Sequence, residues 1–541
     1  LANILKAGKL PAPARIVEEA VVGPSLGKVA VNDGLVSFII AFILVLLYMV
    51  LYYNRAGWVA DLALLTNIFF LFGVLASFGA VLTLPGIAGI VLTLGMAVDA
   101  NVIIYERIKE EVRAGKGIRL SISDGYKNAY SAIIDGNVTT LLTGIVLFVF
   151  GSGPVQGFAT TLIIGILSSL FSAIFISRLI FTWALNKNME VNFSNKITQN
   201  VLAKANFNFI KARKVGYIIS ALVILIGIGS LFTRGLNYGV DFSGGRTYVV
   251  RFDQDVNTVD VRNALSAVFI DENGQSVTPE VKTFGPNKQV QITTSYMIEN
   301  TETNVDSVIQ TKIYEGVLPF YTDQSIKNRQ ISTDTETEEK QHGILNYQNE
   351  GPTIADDNPK PAIIAVVFAL IVIFIYIALR FRRWQFGLAG VIALFHDTLI
   401  TIGLFSLFYN LLPFNMEIDQ AFLAAILTII GYSINDTVII FDRIREFTFL
   451  HKKRELVTNI NDALNSTLAR TINTSGTTLV VLLTIFIFGG EIIRGFTFAL
   501  LVGVLVGTYS SLFTASPIAY DLIRRKGPEL PAGTSGKEKK K

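Results

Sequence analysis

The feature that most constrains this chain is the recurrence of apolar runs long enough to cross a bilayer. A hydrocarbon core about 30 Å thick needs roughly 20 apolar residues per helix. Eleven runs are candidate spans, near 35–53, 59–81, 85–105, 138–151, 157–183, 214–232, 360–380, 385–411, 421–441, 474–489 and 495–522. Backbone polar groups in lipid must be satisfied within the segment, so these runs are expected to be helices. Composition agrees: 51% of the 541 residues are hydrophobic, 16% are charged, and the mean hydropathy is +0.50, which excludes a soluble globular chain.

Other classes fall away quickly. There is no cysteine, hence no disulfide or thiolate metal site, and three histidines argue against a histidine-built metal centre. No GxxxxGK(S/T) loop is present to cradle ATP, and nothing points to nucleic acid. No metal or cofactor is expected, and no catalytic residue is assigned. The chain opens LANILKAGKL without an initiator Met or a visible signal, and reads as part of something longer.

Charge sets an expected orientation. With strict alternation, one side receives Arg55, ERIKEEVRAGKGIR (106–119), the linker ending KARK (211–214), RFRRW (380–384), DRIREFTFLHKKRE (442–455) and the RRK of the tail. The other receives connections in which Arg494 is the sole basic residue. The positive-inside rule makes the first set cytoplasmic. The hydrophilic segment 233–359 then lies outside. Within it, 246–252 and the stretches VKTF and QVQITTSY read as strands, with helices at 258–269 and NVDSVIQTKIYEGV. That β-α-β-β-α order suits a ferredoxin-like α+β domain, its last strand unassigned. Residues 330–358 read as solvated linker.

The membrane part is duplicated. VIIYERIKEE (102–111) matches VIIFDRIREF (438–447), and VTTLLTGIVLFVFGSGPVQGFA (138–159) matches GTTLVVLLTIFIFGGEIIRGFT (476–497). Both copies of each element fall on the same side, so the repeat is parallel, about an axis along the membrane normal. Each copy buries an acid in an apolar run: Asp99 in LTLGMAVDANVIIYERIKE and Asp436 in LTIIGYSINDTVIIFDRIRE. A charge in hydrocarbon is costly and marks function. Without gaps Asp99 aligns with Asn435 and Asp436 with Ala100, which leaves the acids one position out of step and free to face differently. Gly95 and Gly431, one turn upstream, would let helices approach closely.

Together, the VDAN motif at 98–101, GLNYGVDFSGGRT (235–247) and GYSINDTVIIFDRIRE resemble the fused SecD–SecF family of protein-export membrane components, within the resistance-nodulation-division (RND) superfamily. The resemblance covers essentially the whole chain and lacks the SecD first helix and most of its large periplasmic domain. It implies two pseudo-symmetric RND-type helix bundles with a small ferredoxin-like external domain. The implied segments are 1–34, the end of the SecD periplasmic region; 35–185, SecD helices two to six; 186–213, a cytoplasmic linker; 214–232, SecF helix one; 233–359, the SecF periplasmic domain; 360–525, SecF helices two to six; and 526–541, a disordered cytoplasmic tail. The implied role is an accessory of the Sec translocase in the bacterial inner membrane, driven by a proton or sodium gradient. Implied partners are the SecYEG translocon, a YajC-like auxiliary subunit, unfolded preproteins and the lipid bilayer.

The family's functional carboxylates match Asp99 and Asp436, and its SecF arginine matches Arg470 in STLARTINTSGTTL, with Thr474 one turn on. The expected ion relay is therefore Asp99, Asp436, Arg470 and Thr474, with Asn101 and Asn435 beside the acids. The SecD half has Ala132 where Arg470 aligns, and offers Asp135. Asp241, Gly244 and Gly245 are expected to form a hinge or tight turn where the external domain begins. Blander readings stand beside these. The two acids can be hydrogen-bond acceptors between helices, Arg470 can snorkel to the interface, and Asp135 can be structural. Glu106, Arg107, Asp442 and Arg443 read as a solvated face, and Glu417 and Asp419 as solvated loop acids. A small-molecule RND efflux pump is the alternative function; a scaffold and an intramembrane aspartyl protease are further rivals, the last lacking a GxGD context.

Overall fold

A computed structural model describes residues 18–22, 24–80, 83–151, 153–202, 205–271, 274–286, 288–298, 300, 305–322, 342–350, 359–409, 411–412 and 414–524. Residues 1–17, most of the expected 330–358 linker and the 526–541 tail lie outside these. The chain divides into two compact units: one of residues 1–31, 237–361 and 412–419, the other of residues 32–236, 362–411 and 420–541.

The first unit is built on a five-stranded antiparallel sheet. Its strands are β1 (Glu18–Val22), β2 (Gly245–Arg251), β3 (Glu280–Thr283), β4 (Gln289–Thr294) and β5 (Gly343–Glu350), in spatial order β1-β5-β2-β4-β3. Helices α1 (Thr258–Val268) and α2 (Val305–Val317) complete a β-α-β-β-α-β order from β2 to β5. Apolar residues at strand and helix periods meet in one core: Tyr248, Val250 and Phe252 from β2 and its end, Val290 and Ile292 from β4, Leu265 from α1, and Ile309 and Ile313 from α2. The ferredoxin-like expectation holds. Its missing last strand is β5, and the linker reading of 343–350 is overturned. GILNYQNE is too polar to announce a strand, but it pairs with β1 on one side and β2 on the other, so backbone hydrogen bonds hold it where side-chain pattern does not.

The second unit is helical. Among the described residues, eleven helices are long and apolar enough to cross a membrane: Val31–Tyr53, Arg55–Ser77, Pro85–Arg113, Ile118–Phe150, Val155–Asn186, Phe209–Arg234, Ile363–Phe381, Trp384–Phe408, Gln420–Leu450, Leu456–Phe488 and Arg494–Arg524. Numbered on along this unit, α3 (Leu84–Arg113) and α4 (Ile118–Phe150) recur as α5 (Gln420–Leu450) and α6 (Leu456–Phe488). The last spanning helix of each half carries a π-helical turn at a corresponding place, Ser172–Ile176 and Ser511–Ala515. Helices α4 and α6 begin about twenty residues before their apolar runs. One face of each polar first half packs against the bundle, and the charged and polar residues between are why hydropathy cut the helices short.

The halves interlock crosswise. α3 packs on α6, and α5 on α4. Both glycines anticipated as contact points lie in these seams. A Cβ on Gly95 would sit 3.3 Å from the Thr478 Cα, and one on Gly431 would sit 2.2 Å from the Thr143 hydroxyl. Thr140 donates a hydrogen bond to the Gly431 carbonyl across the seam at 2.9 Å. Gly431→Val therefore forces α5 off α4 and is expected to destabilise the protein by about 1–3 kcal/mol. Gly476→Ala, where a Cβ meets nothing within 4 Å, is the matched control. Thermal unfolding of the detergent-solubilised chain reads the difference.

Candidate functional site

Arg470 sits at the centre of the crossed seams. It projects from α6 and is 5% exposed. One guanidinium nitrogen, Nη2, lies 3.2 Å from Asp99 Oδ1 on α3 and 3.6 Å from Asp436 Oδ1 on α5. Asn435 Nδ2 donates to the other Asp99 oxygen at 2.8 Å. Ser475 reaches Asp436 Oδ2 at 3.5 Å and shares a 2.7 Å hydrogen bond with Thr508. Both acids are buried, Asp99 at 9% and Asp436 at 3% exposure. The one-residue offset between the repeats therefore does not separate them: it places Asp99 and Asn435 face to face and leaves Asp436 on the same cation. Arg470 Nε and Nη1 have no hydrogen-bond partner among the described residues.

The snorkelling reading of Arg470 is excluded by this burial. Of the expected set, the structure brings together Asp99, Asp436, Arg470 and Asn435. Among the described residues the Thr474 hydroxyl bonds within its own helix, to the Thr471 carbonyl at 3.2 Å. Asn101 turns to the Ala97 carbonyl at 3.5 Å, and its Oδ1 is unpartnered among the described residues. Neither is in hydrogen-bond contact with the carboxylates. A residue the sequence reading passed over is Gly136, which occupies the position of Thr474 in the first repeat. A Cβ there would lie 1.8 Å from Asn435 Oδ1, so only glycine admits Asn435 to Asp99. The spacing of the repeats, 338 residues between α4 and α6, contained that signal.

Two further networks obey the pseudo-symmetry. Asp135 is ion-paired to Arg380 at 2.6 Å and accepts from Tyr376 at 3.1 Å. Its counterpart Asn473 accepts from Tyr48 at 2.9 Å and donates to Tyr53 at 3.3 Å. Helices α4 and α6 thus hold Ile363–Phe381 and Val31–Tyr53 of the opposite halves, which gives Asp135 a structural role. At one end of α3 and α5, Arg107 pairs with Glu446 at 2.8 Å, and Arg443 with Glu110 at 2.9 Å. Each arginine also meets the glutamate three residues on, at 3.1 and 2.9 Å. Both arginines are largely buried, which corrects the solvated-face reading of Arg107 and Arg443. Glu106 is buried too, bound to Lys109 at 2.8 Å and Tyr53 at 3.2 Å. Asp442 pairs with Arg445. One narrow cleft is lined by Glu106, Arg107, Glu110, Asp442, Arg443 and Arg470.

In the sheet unit, Asp241 accepts from Gln348 on β5 at 2.6 Å. Gly244 and Gly245 have φ of 68° and 121°, and a Cβ on Gly245 would sit 2.7 Å from the Thr294 carbonyl. These glycines make a tight turn against β4. Glu417 is not a solvated acid. Its side chain is 10% exposed, 3.7 Å from Lys282, and both oxygens lie 3.3 Å from Gln291 Nε2. Burial, opposed by Lys282, raises its carboxyl above the usual range.

Comparison with known proteins agrees with this architecture. The C-terminal model of protein export membrane protein SecD/SecF matches residues 6–187 and 330–525, and the SecD/SecF GG motif matches 229–256. Protein translocase subunit SecDF of Bacillus subtilis is 33% identical over 98% of this chain and 69% of its own length. Subunit SecF of Rhodothermus marinus is 43% identical over 60% of this chain and 96% of its own length. A crystal structure of SecDF, a translocon-associated membrane protein from Thermus thermophilus, superposes with a TM-score of 0.82 at 32% identity, over 96% of this chain and 66% of that one. The chain spans about two thirds of the length of these fused relatives.

Two outcomes follow from the geometry. Arg470→Met strands two buried carboxylates and is expected to destabilise by about 3–5 kcal/mol. Adding Asp99→Asn and Asp436→Asn should recover most of that, in a thermal-unfolding cycle. For Glu417, a folded-state pKa above the unfolded one means stability is fully present below about pH 4.3 and is lost as pH rises through the folded value. Glu417→Gln should remove that loss, read as a flatter dependence of Tm on pH.

Proposed function

The chain belongs to the SecD/SecF family of protein-export membrane proteins, and from that premise we propose that it is an accessory subunit of the Sec translocase that spends a transmembrane ion gradient on moving preproteins outward. The supporting observation is the shared cation: Arg470 between carboxylates contributed by the two halves. With both acids ionised, this cluster of two carboxylates and one guanidinium carries a net charge of −1. It is one proton short of neutral in a setting where unpaired charge is costly. Arginine keeps its proton, so Asp99 and Asp436 are the groups that exchange one, and Asn435 and Ser475 hold their free oxygens. Thr474 stands one turn from Arg470 on the same helix, its hydroxyl turned to the Thr471 carbonyl.

Ion binding then becomes movement. A protonated acid no longer attracts Arg470, so the seams α3–α6 and α5–α4 lose an attraction that the ionised form restores. Each elementary charge crossing the field gains about 2.3 kcal/mol per 100 mV. Two or three such charges approach the roughly 5.5 kcal/mol that swings a two-state equilibrium from 1:99 to 99:1. The reciprocal Arg107–Glu446 and Arg443–Glu110 pairs line the same cleft as Arg470 and serve as its inner closure, on the cytoplasmic side by the charge rule. The proposed seat is the bacterial inner membrane, and the proposed partners are the SecYEG translocon, a YajC-like subunit and emerging preproteins. The first unit, with the turn at Asp241, Gly244 and Gly245, is the part that would meet substrate outside.

Sodium satisfies the same charge deficit, and Asn435 and Ser475 would be oxygen ligands for it. Asp436→Asn should abolish gradient-dependent export in reconstituted vesicles while the protein still folds. Running separate proton and sodium gradients identifies the ion, and full activity of the variant would remove the cluster from the scheme.

A further inference from the structure

One deeply buried acid of the membrane unit lies outside both the Arg470 cluster and the ion pairs described above. Asp397 lies mid-way along α7 (Trp384–Phe408) and is 1% exposed. Its Oδ1 is 2.8 Å from Nδ1 of the adjacent His396. Its Oδ2 accepts two hydroxyl hydrogen bonds, from Ser433 on α5 at 2.6 Å and from Ser510 on α8 (Arg494–Ser510) at 2.8 Å. The far nitrogen of His396, itself 5% exposed, lies 2.9 Å from the Ser220 hydroxyl on α9 (Phe209–Arg234). Ser220 is 3.3 Å from the Tyr509 hydroxyl, and Tyr509 stacks on the His396 ring.

We infer that His396 and Asp397 form a second proton-binding site, present in the second half alone. The argument is one of charge and hydrogen-bond supply. No lysine or arginine is in ion-pair or hydrogen-bond contact with the pair among the described residues. Carboxylate with neutral imidazole is therefore a buried net charge of −1. One added proton, shared along Nδ1···Oδ1, makes the pair neutral and keeps all four contacts. In that state Nε2 and Ser220 form the link toward Tyr509, among the described residues the other side chain hydrogen-bonded to Ser220. The titratable groups on the surrounding helices are few. From α9, Tyr217 is one turn nearer the end and donates to Asp521 at 3.2 Å. Asp521 is paired with Arg213 at 3.2 Å. From α8 there is Tyr509, and from α5 Asp436, one turn past Ser433 and already held by Arg470.

The first half lacks the site. ALLTN (63–67) corresponds to ALFHD (393–397), so Thr66 and Asn67 stand where His396 and Asp397 do. The repeat offsets put Ala97 at the place of Ser433 and Ser172 at that of Ser510. Asn67 Oδ1 and Ser172 Oγ are buried without hydrogen-bond partners among the described residues. An amide is thus tolerated where the carboxylate would be, but neither Thr66 nor Asn67 ionises, so no proton is held at these two positions. Ser433 and Asp436 share α5, so occupancy of the second site bears on the helix that carries the first.

The test uses the whole chain in liposomes. The sequence has three histidines, so 15N-histidine spectra of the parent and of His396→Gln assign His396 directly. The inference expects its ring nitrogens to change protonation pattern with pH, and that change to move by about one pH unit or more, roughly tenfold in proton affinity, in Asp397→Asn. It expects the pH profile of ion flux to shift with it, whereas a purely structural contact would lower flux equally at all pH. Ser220→Ala, which leaves the carboxylate and its three donors in place, serves if Asp397→Asn does not fold, and should displace the same spectral change. A His396 pattern constant between about pH 5 and pH 9, or unmoved by either variant, overturns the inference. The spectral arm needs no flux, so a protein that moves no ions but shows the His396 change sinks the translocase scheme and leaves this site standing.

Discussion

One guanidinium shared by two carboxylates inside the bilayer is the constraint the rest of this molecule serves. Neither acid is tolerable there alone, and the cation that makes them tolerable comes from one repeat only. The crossed packing of α3 on α6 and α5 on α4 is what brings the three side chains to one point. Gly95, Gly431 and Gly136 permit the close approach: a methyl group would collide with the opposite helix at Gly431 and Gly136, and would crowd it at Gly95. The site and the interface between halves are the same structure, so a change in charge at one is a change in packing at the other.

The duplication is symmetric in scaffold and asymmetric in chemistry. Arg107–Glu446 and Arg443–Glu110 are mirror contacts, and so are the holds of Asp135 and Asn473 on Ile363–Phe381 and Val31–Tyr53. In charged and polar side chains the copies diverge: Arg470 has Ala132 as its counterpart, Thr474 has Gly136, and His396–Asp397 has Thr66–Asn67. A symmetric frame gives two comparable halves that can move against each other. In the proposed scheme, an asymmetric set of charges would give the movement a direction. That combination is what a device coupled to a gradient needs, since a fully symmetric one would have two equivalent resting states.

The sequence by itself determined the spans, the repeat, the acids and the family. Each rests on a local signal strong enough to survive without three-dimensional context: about 20 apolar residues, a charged block recurring at a fixed offset, a carboxylate where hydrocarbon should be. It also placed the sheet unit and five of its elements, because strand and helix periods are visible in RTYVVRF or NVDSVIQTKIYEGV. It missed the edge strand β1, which joins the sheet from far upstream in the chain, and β5, whose polar residues are held by backbone pairing on both edges; it also missed the polar first halves of α4 and α6, one face of which packs against protein.

Tertiary structure alone decided which side chains meet. The one-residue slip between Asp99 and Asp436 looked like a reason for them to face apart. Two helices crossing a third turned it into a way of putting Asp99, Asn435 and Asp436 round one arginine. Thr474 and Asn101 lie at suggestive spacings yet bond to their own helices, while Gly136, with no side chain to attract notice, sets the gap. Glu417, Arg107 and Arg443 carry charges that composition assigns to solvent, and only their partners show them buried. The physical reason is common to all of these: hydropathy and periodicity are properties of a segment, whereas the pairing of a charge is a property of whatever lies across from it.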